Sequence, residues 1–265
     1  MVGIGGRGRD GRAGRFTGRA GHAKLNGAAA VLVHRKSSRP ESHMFVGHVA
    51  VAMLAARARP RTPFVWWMAA ANLVDLVWPL LLLAGVETVR VAPGITAFTP
   101  LAFESYPWTH SLLAGVLWGA ALAGFARAAG VERAALPLLA ATVVSHWLLD
   151  WLTHVPDLPL APWLAGRYGL GLWRSVPGTL VVEGALWLAA ITLFLRARRP
   201  TSWAGHLAIW SFVLLNTFIW ASGPFTPPPP DARSLAWFAL VGWIVVPWAW
   251  WIDRTSSGRG PLGHG

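Results

Sequence analysis

The chain is 265 residues long, 54% hydrophobic and only 13% charged, with a mean hydropathy of +0.46 and a net charge of +12. Soluble domains carry about 25% charged residues, so this composition argues against a water-soluble protein and for an all-α, polytopic membrane bundle. Cysteine is absent, which excludes disulfides and thiolate metal sites and leaves any metal to His, Asp and Glu.

Residues 1–43 hold nine Lys/Arg against Asp10 and Glu41, so most of the net charge sits there. This stretch is Gly/Arg-rich with little apolar periodicity, and is expected to be a disordered basic tail. RNA or anionic-lipid binding and an Arg-rich targeting peptide are weighed for it. The abrupt change at Met44 suggests that Met44 is the true start and 1–43 upstream sequence. A helical membrane domain is expected over 44–253, and a short disordered tail over 254–265.

Seven helical segments follow from Met44. The first, Phe45–Ala56, is shorter than the ~20 residues of a full span. Thr62-Pro63 reads as a cap followed by the Pro that opens a helix, and that second helix runs to about Gly85. Residues 87–106, with Pro93, Gly94 and Pro100, read as a loop. The third helix runs from near Trp108 to Ala129-Gly130 and the fourth from about Glu132 to His154. After a Pro/Gly-containing loop, Pro177 opens a fifth that ends at Arg196. The sixth covers about Ser202 to Ala221. Asp231 caps the seventh, which ends near Ile252. No internal repeat is evident, and eighteen Trp against two Tyr suit interfacial anchoring.

Loop charge sets an expected orientation. One set of helix ends carries ten arginines (57, 59, 61, 127, 133, 196, 198, 199, 254, 259) and the other only Arg90, Arg167, Arg174 and Arg233. The first set should be cytoplasmic, in what reads as a bacterial inner membrane. The first helix then begins outside, which conflicts with the basic tail unless the tail is not made or the helix does not span.

The chemistry concentrates in Ser145-His146-Trp147-Leu148-Leu149-Asp150-Trp151-Leu152-Thr153-His154. A helical step of four residues turns about 400°, a net drift of about 40°, so His146, Asp150 and His154 form one polar stripe. Ionisable groups inside a membrane helix usually face the bundle interior or a water-filled cavity and are candidates for function. His48 lies near the start of the first helix, Asp75 past the middle of the second, His110 at the start of the third and Glu183 in the second turn of the fifth. With alternating helix directions all seven fall in the outer half of the bundle. The His/carboxylate set suits zinc, manganese or iron, and two ions could share Asp150 or Asp75. The plainer alternative is a hydrogen-bond ladder between helices; for Glu183 it is a carboxylate on a helix dipole.

Gly47-His48, Asp75, Thr109-His110-Ser111-Leu112 and Ser145-His146-x3-Asp150-x2-Thr153 resemble motifs of the YdjM-like family of inner-membrane metal-dependent hydrolases. Their order is also similar to that in the zinc-dependent phospholipase C and P1 nuclease group. The resemblance spans about Met44 to Leu160 and implies ligand roles for His48, Asp75, His110, His146 and Asp150. Departures are Tyr106-Pro107-Trp108 where the family often has His-Arg-Gly, a lone Asp75 in place of an acidic pair, and Glu183 without the companion His of the phospholipase pattern. Two functions stay open. One is a hydrolase of phosphoester or lipid-like substrates, with His154 an extra ligand and Asp150, His154 and Glu183 its catalytic groups. The other is a transporter using the same residues as a proton or ion relay. No specific nucleic-acid partner is expected of the membrane domain.

Overall fold

The structure, a computed structural model, describes residues 46–256; the two tails, with His22, His34, His43 and His264, lie outside the described residues. The described residues form an all-α bundle. Helices α1 (Val46–Ala58), α2 (Phe64–Leu83), α3 (Pro107–His110), α4 (Leu112–Ala128), α5 (Leu136–Thr153), α6 (Val176–Ala197), α7 (Trp203–Ser222), α8 (Ala232–Ala239) and α9 (Val245–Thr255) follow in order. A 3₁₀ turn, Leu240–Ile244, joins α8 to α9 without leaving the helical axis region. Five segments are long and apolar enough to cross a membrane: Phe64–Leu83, Arg133–Thr153, Val176–Ala197, Trp203–Phe225 and Ala232–Thr255. Leu117, Val181, Leu188, Leu214 and Phe218 are each more than 60% exposed along these and neighbouring helices. Such an apolar outer surface suits lipid contact.

Helix starts follow local chemistry. Ser111, Ser175, Ser202 and Asp231 each accept a hydrogen bond from the backbone N–H three residues on, which satisfies one of the four free donors at a helix start. Helix α2 has no such residue of its own. Its first two N–H groups donate instead to the Asp253 carboxylate of α9, at 2.7 and 2.9 Å. Arg198, at the end of α6, donates to the same carboxylate at 2.7 Å and to the Pro60 and Thr62 carbonyls. One buried ion pair therefore ties the ends of α2, α6 and α9 together.

Helix α1 is buried along most of its length and packs on α2, α5 and α6. Its Ala-rich sequence lets these neighbours approach closely. Helices α4 and α5 approach closely as well: a Cβ on Gly119 would stand 2.9 Å from the Ala140 carbonyl. Small residues at such a seam are the usual means of close helix packing in membranes.

Three expected boundaries differ. The 87–106 loop contains an antiparallel hairpin, β1 (Thr88–Val91) with β2 (Leu101–Ser105). The third helix breaks at Ser111, whose extended backbone ends the α3 turn and caps α4. The fifth segment's predecessor, α5, ends at Thr153, so His154 is an extended C-cap residue and not a helical one. Pro156 stops the helix in this turn, since it disfavours helical backbone at Val155.

Candidate metal centre

The alternating directions of α1, α2 and α5, with the α3 turn, carry His48, Asp75, His110, His146, Asp150 and His154 to one end of the bundle. All but Asp75 are at most 6% exposed. Asp150 is the hub. Its Oδ1 lies 3.1 Å from His48 Nε2 and 3.9 Å from His154 Nε2; its Oδ2 lies 3.3 Å from His146 Nε2 and 3.9 Å from His110 Nε2. Asp75 Oδ1 reaches the same two nitrogens from the other side, 3.2 Å from His110 and 3.5 Å from His146. Two donors bound tetrahedrally at about 2.0–2.1 Å from a zinc-like ion stand roughly 3.3–3.5 Å apart. The observed spacings bracket that value. Both His48/His146/Asp150 and Asp75/His110/His146 could hold a metal ion, each with donor atoms within 4.8 Å of one another.

Three of the four histidines are held by an oxygen at Nδ1. His146 Nδ1 lies 2.8 Å from the Ala71 carbonyl, which can only accept, so Nδ1 carries a proton and the neutral ring offers its lone pair at Nε2. His154 Nδ1 lies 3.0 Å from the Asp157 carboxylate, with the same result. For His110 the control is one step longer. The Thr109 hydroxyl donates to Glu87 Oε2 at 2.8 Å, so it accepts from His110 Nδ1 at 2.7 Å. This outer layer of carbonyl and carboxylate acceptors is how metal-binding histidines are oriented.

One pair of atoms departs from an ordinary polar network. His146 Nε2 and Asp150 Oδ2 are buried, 3.3 Å apart, and neither has a hydrogen-bond partner. Two lone pairs facing each other in a low-dielectric interior are costly. A cation shared between them removes that cost, as does a proton on Nε2, which would make the contact an ion pair.

The cluster opens to a cavity of about 90 Å³, well above the ~10–15 Å³ that one water needs. Asp75, whose side chain is 39% exposed, His110, Asp150 and His154 form its polar end. Trp78, Leu101, Phe103, Trp173, Leu235 and Phe238 form much of the rest. Glu183 is not at this cavity. It is 4% exposed, its oxygens make no hydrogen bond, and it faces a smaller pocket of about 20 Å³ with His48 and Thr153 between α1, α5 and α6.

Sequence reasoning missed two acids. Glu87 also accepts from the Trp108 and Thr109 backbone at 2.8 and 2.9 Å, and so sets the α3 turn that presents His110. Asp157 accepts from the Tyr106 hydroxyl at 2.6 Å as well as from His154. Burial, and next the adjacent Asp157 carboxylate, push the Tyr106 phenol well above its ordinary range, so it remains a donor. Both acids stand in loops without helical periodicity. The available signals were an acid three residues after His154 and an acid just past the end of α2.

No family model matches the chain, and no curated protein or solved structure matches it.

Proposed function

We propose that this chain is a membrane-embedded metal-dependent hydrolase of phosphoester or lipid-like substrates, its site toward the outer face of a plasma membrane. The observation that carries the reading is the buried His146 Nε2 and Asp150 Oδ2 pair, which lack hydrogen-bond partners within a converging set of four histidines and two aspartates. The resemblance to the YdjM-like family agrees with it, and the ten-to-four arginine distribution supports the orientation. Zinc is the first candidate and manganese or iron the next, given a nitrogen and carboxylate donor set.

His48, His146 and Asp150 on one side and Asp75, His110 and His146 on the other are the residues that would hold the ion. A divalent ion held there supplies Lewis acidity at phosphorus and eases ionisation of water at neutral pH.

The chain's own groups then have separable tasks. In phosphoester hydrolysis the water oxygen bonds to phosphorus, the P–O bond to the alcohol breaks, and a water proton ends on the departing alkoxide. His154 is our candidate proton carrier: it lines the cavity and its Nδ1–H is held by Asp157, the orientation a general base needs. Glu87 through Thr109, and Ala71 through its carbonyl, keep His110 and His146 in the ligand tautomer. The apolar wall limits water to the polar end. Glu183, behind His48, touches no substrate in this reading.

The test is elemental analysis of the detergent-purified full chain beside His146→Ala and Asp150→Asn, followed by a phosphodiester assay. Stoichiometric metal that both substitutions remove, with hydrolysis that tracks it, is expected. Wild-type protein that takes up no metal after reconstitution would refute the reading. A proton or ion carrier is the second reading, favoured by Glu183, which extends the line of ionisable groups past His48 to a second pocket; flux in proteoliposomes abolished by Glu183→Gln would support it.

A further inference from the structure

The cavity beside the cluster has two chemical ends and a mouth on the flank of the bundle. Its polar end is Asp75, His110, Asp150 and His154; its far wall is apolar and includes Leu235, Phe238 and Val245 from the last spanning segment. The hairpin roofs it. Thr99, Leu101 and Phe103 line the cavity from that side, and the Ala97 and Phe98 N–H groups donate to the Trp173 carbonyl at 3.1 and 3.0 Å, which pins the roof to the loop before α6. Trp78, Leu101 and Trp173 are buried, whereas Phe238, Ala239 and Gly242 are only half-buried. Those three residues belong to the Ala232–Thr255 segment. The mouth therefore faces sideways, between α2 and the α8–3₁₀–α9 segment.

The 3₁₀ turn is what shapes this mouth. A 3₁₀ stretch inside a longer helix marks a local departure from regular packing, and here it brings Gly242 to the cavity lining. A Cβ at Gly242 would meet nothing within 4 Å, so the gap is open space and not a close helix contact. Val241, Trp243 and Ile244 around it are exposed by 45–56%, as suits residues facing lipid tails. Below the gap, Trp243 Nε1 donates to the Leu76 carbonyl at 3.0 Å and ties the 3₁₀ turn to α2. A wholly polar ligand would leave the apolar wall unused. An alkyl chain gains free energy with each methylene it buries there.

We propose that a bilayer lipid enters this cavity sideways through the gap at Gly242, its acyl chain along α8 and the 3₁₀ turn and its anionic phosphate headgroup at the His/Asp cluster. This rests on the hydrolase reading for the headgroup chemistry; the chain-binding part stands on the cavity alone. Gly242 and Phe238 would then select for the alkyl chain, while the cluster acts on the headgroup.

The full chain is reconstituted in phosphatidylethanolamine–phosphatidylglycerol vesicles that contain a phosphatidylglycerol with a photoreactive diazirine on its acyl chain. After irradiation, labelled peptides are mapped by mass spectrometry, and metal content is measured on the same samples. Labelling of Leu235, Phe238 or Trp78 is expected in the wild type. In Gly242→Phe it should fall by about tenfold, the worth of roughly two buried methylenes, with metal content unchanged. Label confined to outward-facing Trp237, Val241 and Ile244, or cavity label indifferent to Gly242→Phe, would overturn the proposal. Cavity label in protein that binds no metal would sustain lipid access and sink the hydrolase reading; bound metal without cavity label would do the reverse.

Discussion

Replacing Glu87 with Gln tests whether the cluster is organised for metal from outside its ligand set. Glu87 never approaches the donor atoms. It accepts three hydrogen bonds, two from backbone N–H at 2.8 and 2.9 Å and one from the Thr109 hydroxyl at 2.8 Å. Gln keeps an oxygen for the two N–H groups, so the α3 turn should survive. Its amide nitrogen cannot accept from Thr109. The hydroxyl is then free to turn and donate to His110 Nδ1, 2.7 Å away. That moves the imidazole proton to Nε2, the atom facing Asp75 at 3.2 Å, and removes one ligand lone pair. Loss of such an outer acceptor usually costs 10–100-fold in metal affinity, or about 1.4–2.7 kcal/mol. Competition with a chelator in detergent measures the affinity, and ¹⁵N chemical shifts of the metal-free protein report the tautomer. Unchanged affinity together with an unchanged His110 tautomer would refute the relay; changed affinity with an unchanged tautomer would locate the effect in the turn.

Three further outcomes are expected. Asp253→Asn removes the carboxylate charge that Arg198 and the start of α2 share; breaking a buried pair this way costs about 3–5 kcal/mol, which should appear as a large drop in unfolding temperature, and an unchanged melt would contradict it. Tyr106, with its phenol raised, is favoured neutral in the folded state, so its stabilisation is complete below about pH 10 and is lost as pH climbs toward the folded value. Tyrosinate absorbance should therefore show one of the two tyrosines ionising late, and a late step that persists in Tyr106→Phe would exclude this assignment. Chelation of bound metal should lower wild-type stability by about 2.7 kcal/mol relative to a hundredfold excess of free ion over Kd, while Asp150→Asn should not respond.

The bundle and the polar end of the cavity were legible because both depend on periodicity. Runs of apolar residues near twenty long mark α2, α5, α6, α7 and the last segment. Alternating direction then sends His48, Asp75, His110 and His146 to one level. What escaped depends on loops. The 88–105 hairpin has only nine strand residues, split by a connection with Pro93 and Pro100, too short to show alternation. Glu87 and Asp157 act through hydrogen bonds to Trp108, Thr109, Tyr106 and His154, and apart from the three-residue step from His154 to Asp157 nothing in their spacing reveals a partner. Helical periodicity also carried the stripe one residue too far, to His154. The extended backbone there swings the ring toward Asp157 while Nε2 still faces Asp150. Glu183 shows the opposite failure: it does stand beside His48, but helix position alone does not say on which side of His48 a side chain lies.

The shared carboxylate of Asp253 has a consequence for biosynthesis. The N–H groups it receives belong to residues 189 and 188 positions earlier. At about 5–20 residues per second, a nascent chain spends roughly 10–40 s with the start of α2 uncapped, and for part of that time Arg198 lacks this carboxylate. The early helices can be inserted, but their ends stay unfinished until the last helix arrives. A ribosome that stops before residue 253 therefore leaves a product whose defect lies at its beginning, a mark by which quality control could recognise an incomplete chain.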